Sequence, residues 1–203
     1  MKIALIGSSG RVGSRLLAEM SRRGHEVTGI ARNTRDVSPQ AHLTFRSADA
    51  NQPSRIAPVL RGHDAVVSAM KFAATDPHAV IAAVKQAAVK RLMVVGGAGS
   101  LEVSPGVLLM DTADFPDAYK PEAAAGRKFL GVLRDEKELD WTFLSPSAEF
   151  VPGERTGTFR LGHDQLLIGA DGKSWISMED YAIAFVDELE TPRHTRQRFT
   201  VGY

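Results

Sequence analysis

The clearest chemistry in this sequence lies close to its start, in Gly7-Ser8-Ser9-Gly10-Arg11-Val12-Gly13. Glycines at that spacing let the backbone turn tightly and approach a ligand, and a helix that opens there offers unpaired N–H groups and a positive dipole end to an anion. The apolar run Ile3–Ile6 comes immediately before, and Val12, Leu16, Leu17 and Met20 recur on one helical face immediately after, with Gly24 as a stop. Strand, glycine turn and amphipathic helix in that order make the dinucleotide-binding fingerprint. Gly7, Gly10 and Gly13 would shape a pyrophosphate site, and Ser9, Arg11 and Val12 would line it.

The next chemistry is a choice between two riboses. In such sites an Asp or Glu at the end of the second strand accepts a hydrogen bond from the ribose 2′-hydroxyl. Here Val27–Ala31 reads as that strand, and the position expected to be acidic is Arg32, followed by Asn33, Thr34 and Arg35. A guanidinium matches a phosphate through two parallel hydrogen bonds. Arg32, with Asn33 and Arg35 beside it or with Arg11, therefore favours the 2′-phosphate of NADP(H) over NAD(H). The bland alternative is a solvated surface arginine. Ser68, Ala69 and Met70 close a fourth strand, Gly96 and Gly97 a fifth, and Ser145 and Pro146 a sixth. Strand ends line the crevice of an open α/β sheet, so backbone contacts are expected at all three places.

Other chemistries are excluded or unsupported. With no cysteine there are no disulfides, thiolate metal sites or Cys nucleophiles. No pair among the six histidines has helical metal-ligand spacing with a carboxylate, so no metal is expected. Lys and Arg number 25 against 24 Asp and Glu, which gives no electrostatic case for nucleic acid. No apolar run approaches the roughly 20 residues of a membrane helix, and no signal-peptide layout is present. A cytoplasmic protein is expected.

The elements must hold these groups at one edge. Short apolar runs, Ile3–Ile6, Val27–Ala31, Ala65–Ala69, Leu92–Val95 and Trp141–Leu144, alternate with helical patterns, and Leu43–Phe45 is a weaker strand. Continuous apolar strands separated by helices predict a parallel sheet covered on both faces, a doubly wound Rossmann arrangement in the α/β class. At 203 residues the chain reads as one NAD(P)-binding domain over residues 1–203. Near the end, residues 158–168 read as a small hairpin, and Ser177-Met178-Glu179-Asp180 as a capping box opening a last helix. The segment from Leu101 to Ala118 is long for a connection, in the manner of a lid or binding loop.

Three stretches carry a family resemblance: Ile3 to Gly13, Val94-Val95-Gly96-Gly97-Ala98-Gly99-Ser100-Leu101, and Asp140-Trp141-Thr142-Phe143-Leu144-Ser145-Pro146. Pro152 to Gly157 and Ile176 to Ala182 extend it to nearly the whole chain. The sequence resembles atypical short-chain dehydrogenases, specifically NmrA-like, biliverdin-reductase-B-like proteins and bacterial NADH-flavin-reductase-like proteins. The resemblance implies a carboxylate near the adenine at Asp49, beside Ala50, where capping of a helix is an equal reading. It implies a hydroxyl near the substrate at Ser100, where a turn serine is an equal reading. Standard members use Tyr-x-x-x-Lys, two residues on one helical face. None of the three tyrosines fits: Lys120 directly follows Tyr119, Phe185 stands four after Tyr181, and Tyr203 is the last residue. Tyr119 is left as a candidate for substrate contact. Where biliverdin-reductase-B relatives carry a histidine after the sixth strand, this chain has Ala148-Glu149-Phe150.

Without that tyrosine, a conjugated acceptor such as a flavin or quinone is the expected hydride acceptor, because solvent can protonate its spread charge. The rivals are a non-catalytic NADP(H) sensor that binds a protein partner, and an epimerase- or dehydratase-like enzyme with tightly held NAD.

Overall fold

The computed structural model describes residues 1–32 and 42–203, so Asn33 and Arg35 lie outside the described residues. The first half alternates as expected: β1 (Lys2–Ile6), α1 (Arg11–Arg22), β2 (Glu26–Ala31), β3 (Leu43–Ser47), α2 (Pro53–Leu60), β4 (Ala65–Ser68), α3 (Pro77–Gln86) and β5 (Arg91–Val95). A short hairpin of β6 (Glu102–Ser104) and β7 (Val107–Leu108) leads to α4 (Lys120–Asp135) and β8 (Asp140–Ser145). The chain then forms β9 (Glu149–Val151), β10 (Arg160–Gly162), β11 (Trp175–Ser177), α5 (Met178–Glu190) and β12 (Gln197–Gly202).

Eight strands make the main sheet in the order β10-β12-β8-β5-β4-β1-β2-β3. All its pairings are parallel except β10 with β12. The order turns around between β1 and β4, the doubly wound arrangement expected of these apolar strands. Because side chains alternate along a strand, Ala4 and Ile6 face one core and Ile3 and Leu5 the other. The first core packs under α2, α3 and α4, and the second under α1 and α5. Pro58 does not break α2, which runs through it, and Asp76 caps α3 by accepting from His78 N–H at 3.0 Å. Among the described residues no helix is long and apolar enough to cross a membrane.

The C-terminal part differs in detail. The antiparallel strand pair is present, with β10 joined to β12, whereas residues 165–168 meet the β6 hairpin through a bridge between Glu102 and Gln165. The capping box is half formed. Ser177 Oγ accepts from Asp180 N–H at 3.0 Å, but the Asp180 carboxylate turns away to another task.

That task is to hold an irregular strap, residues 152–158, against α1 and α5. Asp180 is fully buried and accepts from the Thr156 hydroxyl, from Gly157 N–H at 2.8 Å and from the Tyr203 hydroxyl at 2.7 Å. Gly153 N–H donates to Glu179 at 2.8 Å, and Arg155 donates to both oxygens of buried Glu19 at 2.9 Å. Burial alone would raise the Asp180 pKa, but the bonds from Thr156, Gly157 and Tyr203 outweigh it and hold the group below the usual range. A carboxyl with a folded pKa below its unfolded value stabilises the fold above the unfolded value and loses that contribution as pH falls through the folded one. Asp180→Ala, which removes the buried acceptor shared by Thr156, Gly157 and Tyr203, is expected to cost about 2 kcal/mol at pH 7 in urea unfolding. The gap from wild type should narrow as pH drops below about 4. A loss that does not change with pH would show that the ionised carboxylate is not what holds the strap.

Candidate functional site

At the switch point, between the carboxyl ends of β1, β2 and β4, lies a cleft of about 300 Å³. Its wall on the β1 side is the glycine turn. Gly7 has φ +86°, a conformation open to glycine, and a Cβ there would stand 2.6 Å from the Ala69 carbonyl oxygen. A Cβ on Gly13 would stand 2.0 Å from the Gly7 carbonyl oxygen, so the first turn of α1 can sit on the loop only without a side chain. Gly10 donates its N–H to Gly7 O at 3.0 Å and caps α1 in an extended conformation, and among the described residues no side chain caps the helix end. The N–H groups of Arg11, Val12 and Gly13 are thus without intrahelical acceptors. A turn with glycine at its three tightest positions, set against an uncapped helix start, fits a pyrophosphate.

The residues expected to meet the ligand fall into three groups. Gly7, Ser9, Gly10, Arg32, Asp49, Ala50, Ala69 and Met70 line the cleft. Arg11, Val12 and Gly13 form the turn of α1 next to it, and Ser68 ends β4 as a buried residue. Gly96, Gly97, Ser145 and Pro146 end the next two strands along the sheet, β5 and β8. There Gly96 N–H donates to Leu144 O at 2.7 Å. Asp49 lines the cleft and also accepts from Asn51 N–H at 3.0 Å, so its turn-capping role and its place in the cleft coincide.

The sequence reading missed Ala48, Asn51, Lys71 and Ala74, which complete the far wall. Asn51 joins two segments by donating to Ala74 O at 2.9 Å and accepting from Asp76 N–H at 2.9 Å. Asn51 and Lys71 each stand within two residues of a residue singled out above, and that adjacency was the available signal.

Ser145 is fully buried, and its Oγ has no hydrogen-bond partner among the described residues. Its carbonyl accepts from Thr200 Oγ1 at 2.9 Å. An unpartnered buried hydroxyl stabilises nothing, so Ser145→Ala is expected to unfold within about 1 kcal/mol of wild type. A loss of several kcal/mol in a denaturant titration would reveal a partner for the hydroxyl.

The two candidates for contact with a substrate lie apart in character. Ser100 is buried, and its carbonyl accepts from both Arg198 Nη atoms at 3.3 Å. Arg198 also pairs with Asp164, so this buried guanidinium clips the loop after β5 to the segment before residue 165. Tyr119 is 65% exposed at the start of α4, and Lys120 pairs with Asp117 at 2.7 Å. The other two phenols are engaged. Tyr181 is fully buried, donates to Leu144 O at 2.7 Å, and is pushed by burial well above the ordinary tyrosine pKa. Tyr203 donates to Asp180 at 2.7 Å, with Ser177 Oγ 2.9 Å from the same phenol oxygen. The segment 101–118 is not a bare loop: it holds the β6–β7 hairpin and short 3-10 turns, tied by Glu102 N–H to Asp164 O at 2.8 Å.

A family model described as NAD(P)H-binding matches residues 7–192, from the glycine turn to the end of the last helix. The chain belongs to this NAD(P)H-binding family. Its curated relatives include the uncharacterized protein YwnB of Bacillus subtilis, 43% identical over 211 residues that cover 99% of this chain and 98% of YwnB. Among solved structures, a Bacteroides thetaiotaomicron protein provisionally described as an epimerase superposes with TM-score 0.95 at 44% identity, covering 100% of this chain and 96% of that one. A Streptococcus pneumoniae protein provisionally described as an NADH-flavin reductase superposes with TM-score 0.86 at 34% identity, covering 100% and 99%. This member of the NAD(P)H-binding family therefore has an oxidoreductase-like Rossmann fold, with relatives described under two different activities.

Proposed function

We propose that the protein is an NADP(H)-dependent oxidoreductase that passes hydride to a small conjugated acceptor of the flavin or quinone kind. One observation carries the reading of the chemistry: both buried or half-buried phenols, Tyr181 and Tyr203, spend their hydroxyls on structural acceptors, and the third opens to solvent with its neighbouring lysine paired elsewhere. A ketone would need a positioned acid for its nascent alkoxide. A conjugated ring spreads the arriving charge and takes its proton from water, so orientation suffices.

The dinucleotide, when bound, supplies the hydride. The protein's part is to bind and orient. The glycine turn and the start of α1 hold the pyrophosphate, and Arg32 at the lip of the cleft meets the 2′-phosphate. The ends of β5 and β8, Gly96, Gly97, Ser145 and Pro146, lie along the sheet beyond β4 and form a floor for the nicotinamide. Gly97 supports that reading, because a Cβ there would meet nothing nearer than Phe72 at 3.7 Å and the backbone is open to a planar ring.

The test is anaerobic oxidation of NADPH and NADH with FMN, FAD, riboflavin and simple quinones as acceptors. Turnover that saturates in the acceptor and prefers NADPH is expected. Tight NADPH binding with no turnover on any acceptor would instead make the protein a redox sensor, whose partner would then be another protein. The Bacteroides relative's description favours a second reading, an epimerase-like enzyme with resident NAD. Nucleotide released from the purified, denatured protein as NAD would decide for it.

A further inference from the structure

The far wall of the cleft is a loop with no regular structure of its own to hold it. Met70, Lys71 and Ala74 line the cleft, and between them Phe72–Ala74 forms a single 3-10 turn whose start has no side-chain cap. The turn is fixed from outside. Glu122, in the first turn of α4, accepts from Phe72 N–H at 2.6 Å through one carboxylate oxygen and from Ala73 N–H at 2.9 Å through the other. The ring of Phe72 is wedged against the same helix. A Cβ on Gly126 would stand 2.9 Å from it, and it packs on Phe129 and Phe143 with centroids 5.4 and 5.8 Å away. Asn51 holds the far end of the loop through Ala74 and Asp76, and Thr75 Oγ1 closes it on Lys71 O at 2.7 Å.

An acidic residue in a helix's first turn usually serves its own helix. Glu122 instead spends both oxygens on the backbone of a loop in the other half of the chain. The helix that begins just after the segment 101–118 thereby sets the shape of this wall of the cleft.

We propose that Glu122 is a positioning residue for the adenosine end of the dinucleotide, holding residues 71–74 in the shape that receives it. The proposal rests on the adenosine end occupying the cleft. Because coupling is reciprocal, displacement of α4 by an acceptor would alter dinucleotide affinity, and dinucleotide would alter acceptor affinity by the same factor.

Two fragments that reach only the adenosine end test it: ADP, and 2′,5′-ADP with the extra phosphate. Titration calorimetry on folded wild type and Glu122→Gln is expected to show both fragments weakened about tenfold by the substitution, since an amide keeps one acceptor and sets a donor against the other N–H. Hydrogen exchange should quicken at residues 72–73 and stay unchanged in the last turns of α4. Glu122→Asp, which keeps the charge on a shorter arm, should recover part of the affinity. Gly126→Ala disturbs the same loop by way of Phe72, and should show the same paired loss if Glu122→Gln does not fold. Unchanged fragment affinity in these variants, whatever their melting temperature, would overturn the proposal and leave Glu122 a structural residue. Failure of wild type to bind either fragment would overturn it differently, by removing the adenosine end from the cleft.

Discussion

Gly13→Ala is expected to abolish dinucleotide binding and to destabilise the fold by about 3 kcal/mol, the upper end of the range for a forced overpacking. The added carbon would lie 2.0 Å from the Gly7 carbonyl oxygen, a backbone atom that cannot rotate away. To admit it, α1 must retreat from the glycine turn, which opens the cradle and turns the helix N–H groups off their target. In thermal unfolding the loss should appear as a drop of roughly 6–12 °C for a chain of this size. Gly131→Ala is the control, because it lies in α4 with nothing among the described residues within 4 Å of its added Cβ. There the better helix former should gain up to about 1 kcal/mol. NADPH binding within tenfold of wild type in a folded Gly13→Ala protein would mean that the turn is not the pyrophosphate cradle.

The second large effect concerns selectivity rather than binding as such. Arg32→Ala is expected to raise the NADPH dissociation constant by about 10- to 100-fold while leaving NADH within about threefold, since a charge-assisted contact contributes roughly 1.5–3 kcal/mol. The NADPH loss should shrink as salt rises, because the cleft is open and its charges are screened. Equal losses for the two nucleotides, measured by titration at one ionic strength, would remove Arg32 from the 2′-phosphate.

Much of this site is written in local sequence. A strand, turn and helix contiguous within Ile3–Arg22 need no distant partner to be recognised, and Arg32 follows a strand whose end is fixed by its own apolar run. Strands with both faces buried, such as Ala65–Ser68, announce themselves as unbroken apolar stretches. β12 does not. Its Arg198 and Thr200 look like solvent-facing residues, yet both are buried, with Arg198 on Asp164 and the Ser100 carbonyl and Thr200 on the Ser145 carbonyl. Their partners lie far away in the chain, so the burial of these two side chains cannot be read from their own stretch. Glu122 is hidden for the same reason: on its helix it is an ordinary first-turn acid, and only the fold brings Phe72 and Ala73 under it. The box at Ser177 was half legible because serine caps locally, whereas Asp180 serves a strap whose position depends on the sheet.

The placing of β12 between β8 and β10 also sets an order of events during synthesis. The strands from β1 to β5 and the helices between them can assemble as the ribosome delivers them, each against a neighbour already made. β10 cannot. It leaves the ribosome with no strand to join, and its partner is not translated until the strap, β11 and α5 have followed. Until β12 is made, β8 lacks the strand that covers one of its edges. The last strand fills that edge, and Tyr203 at its end donates to Asp180.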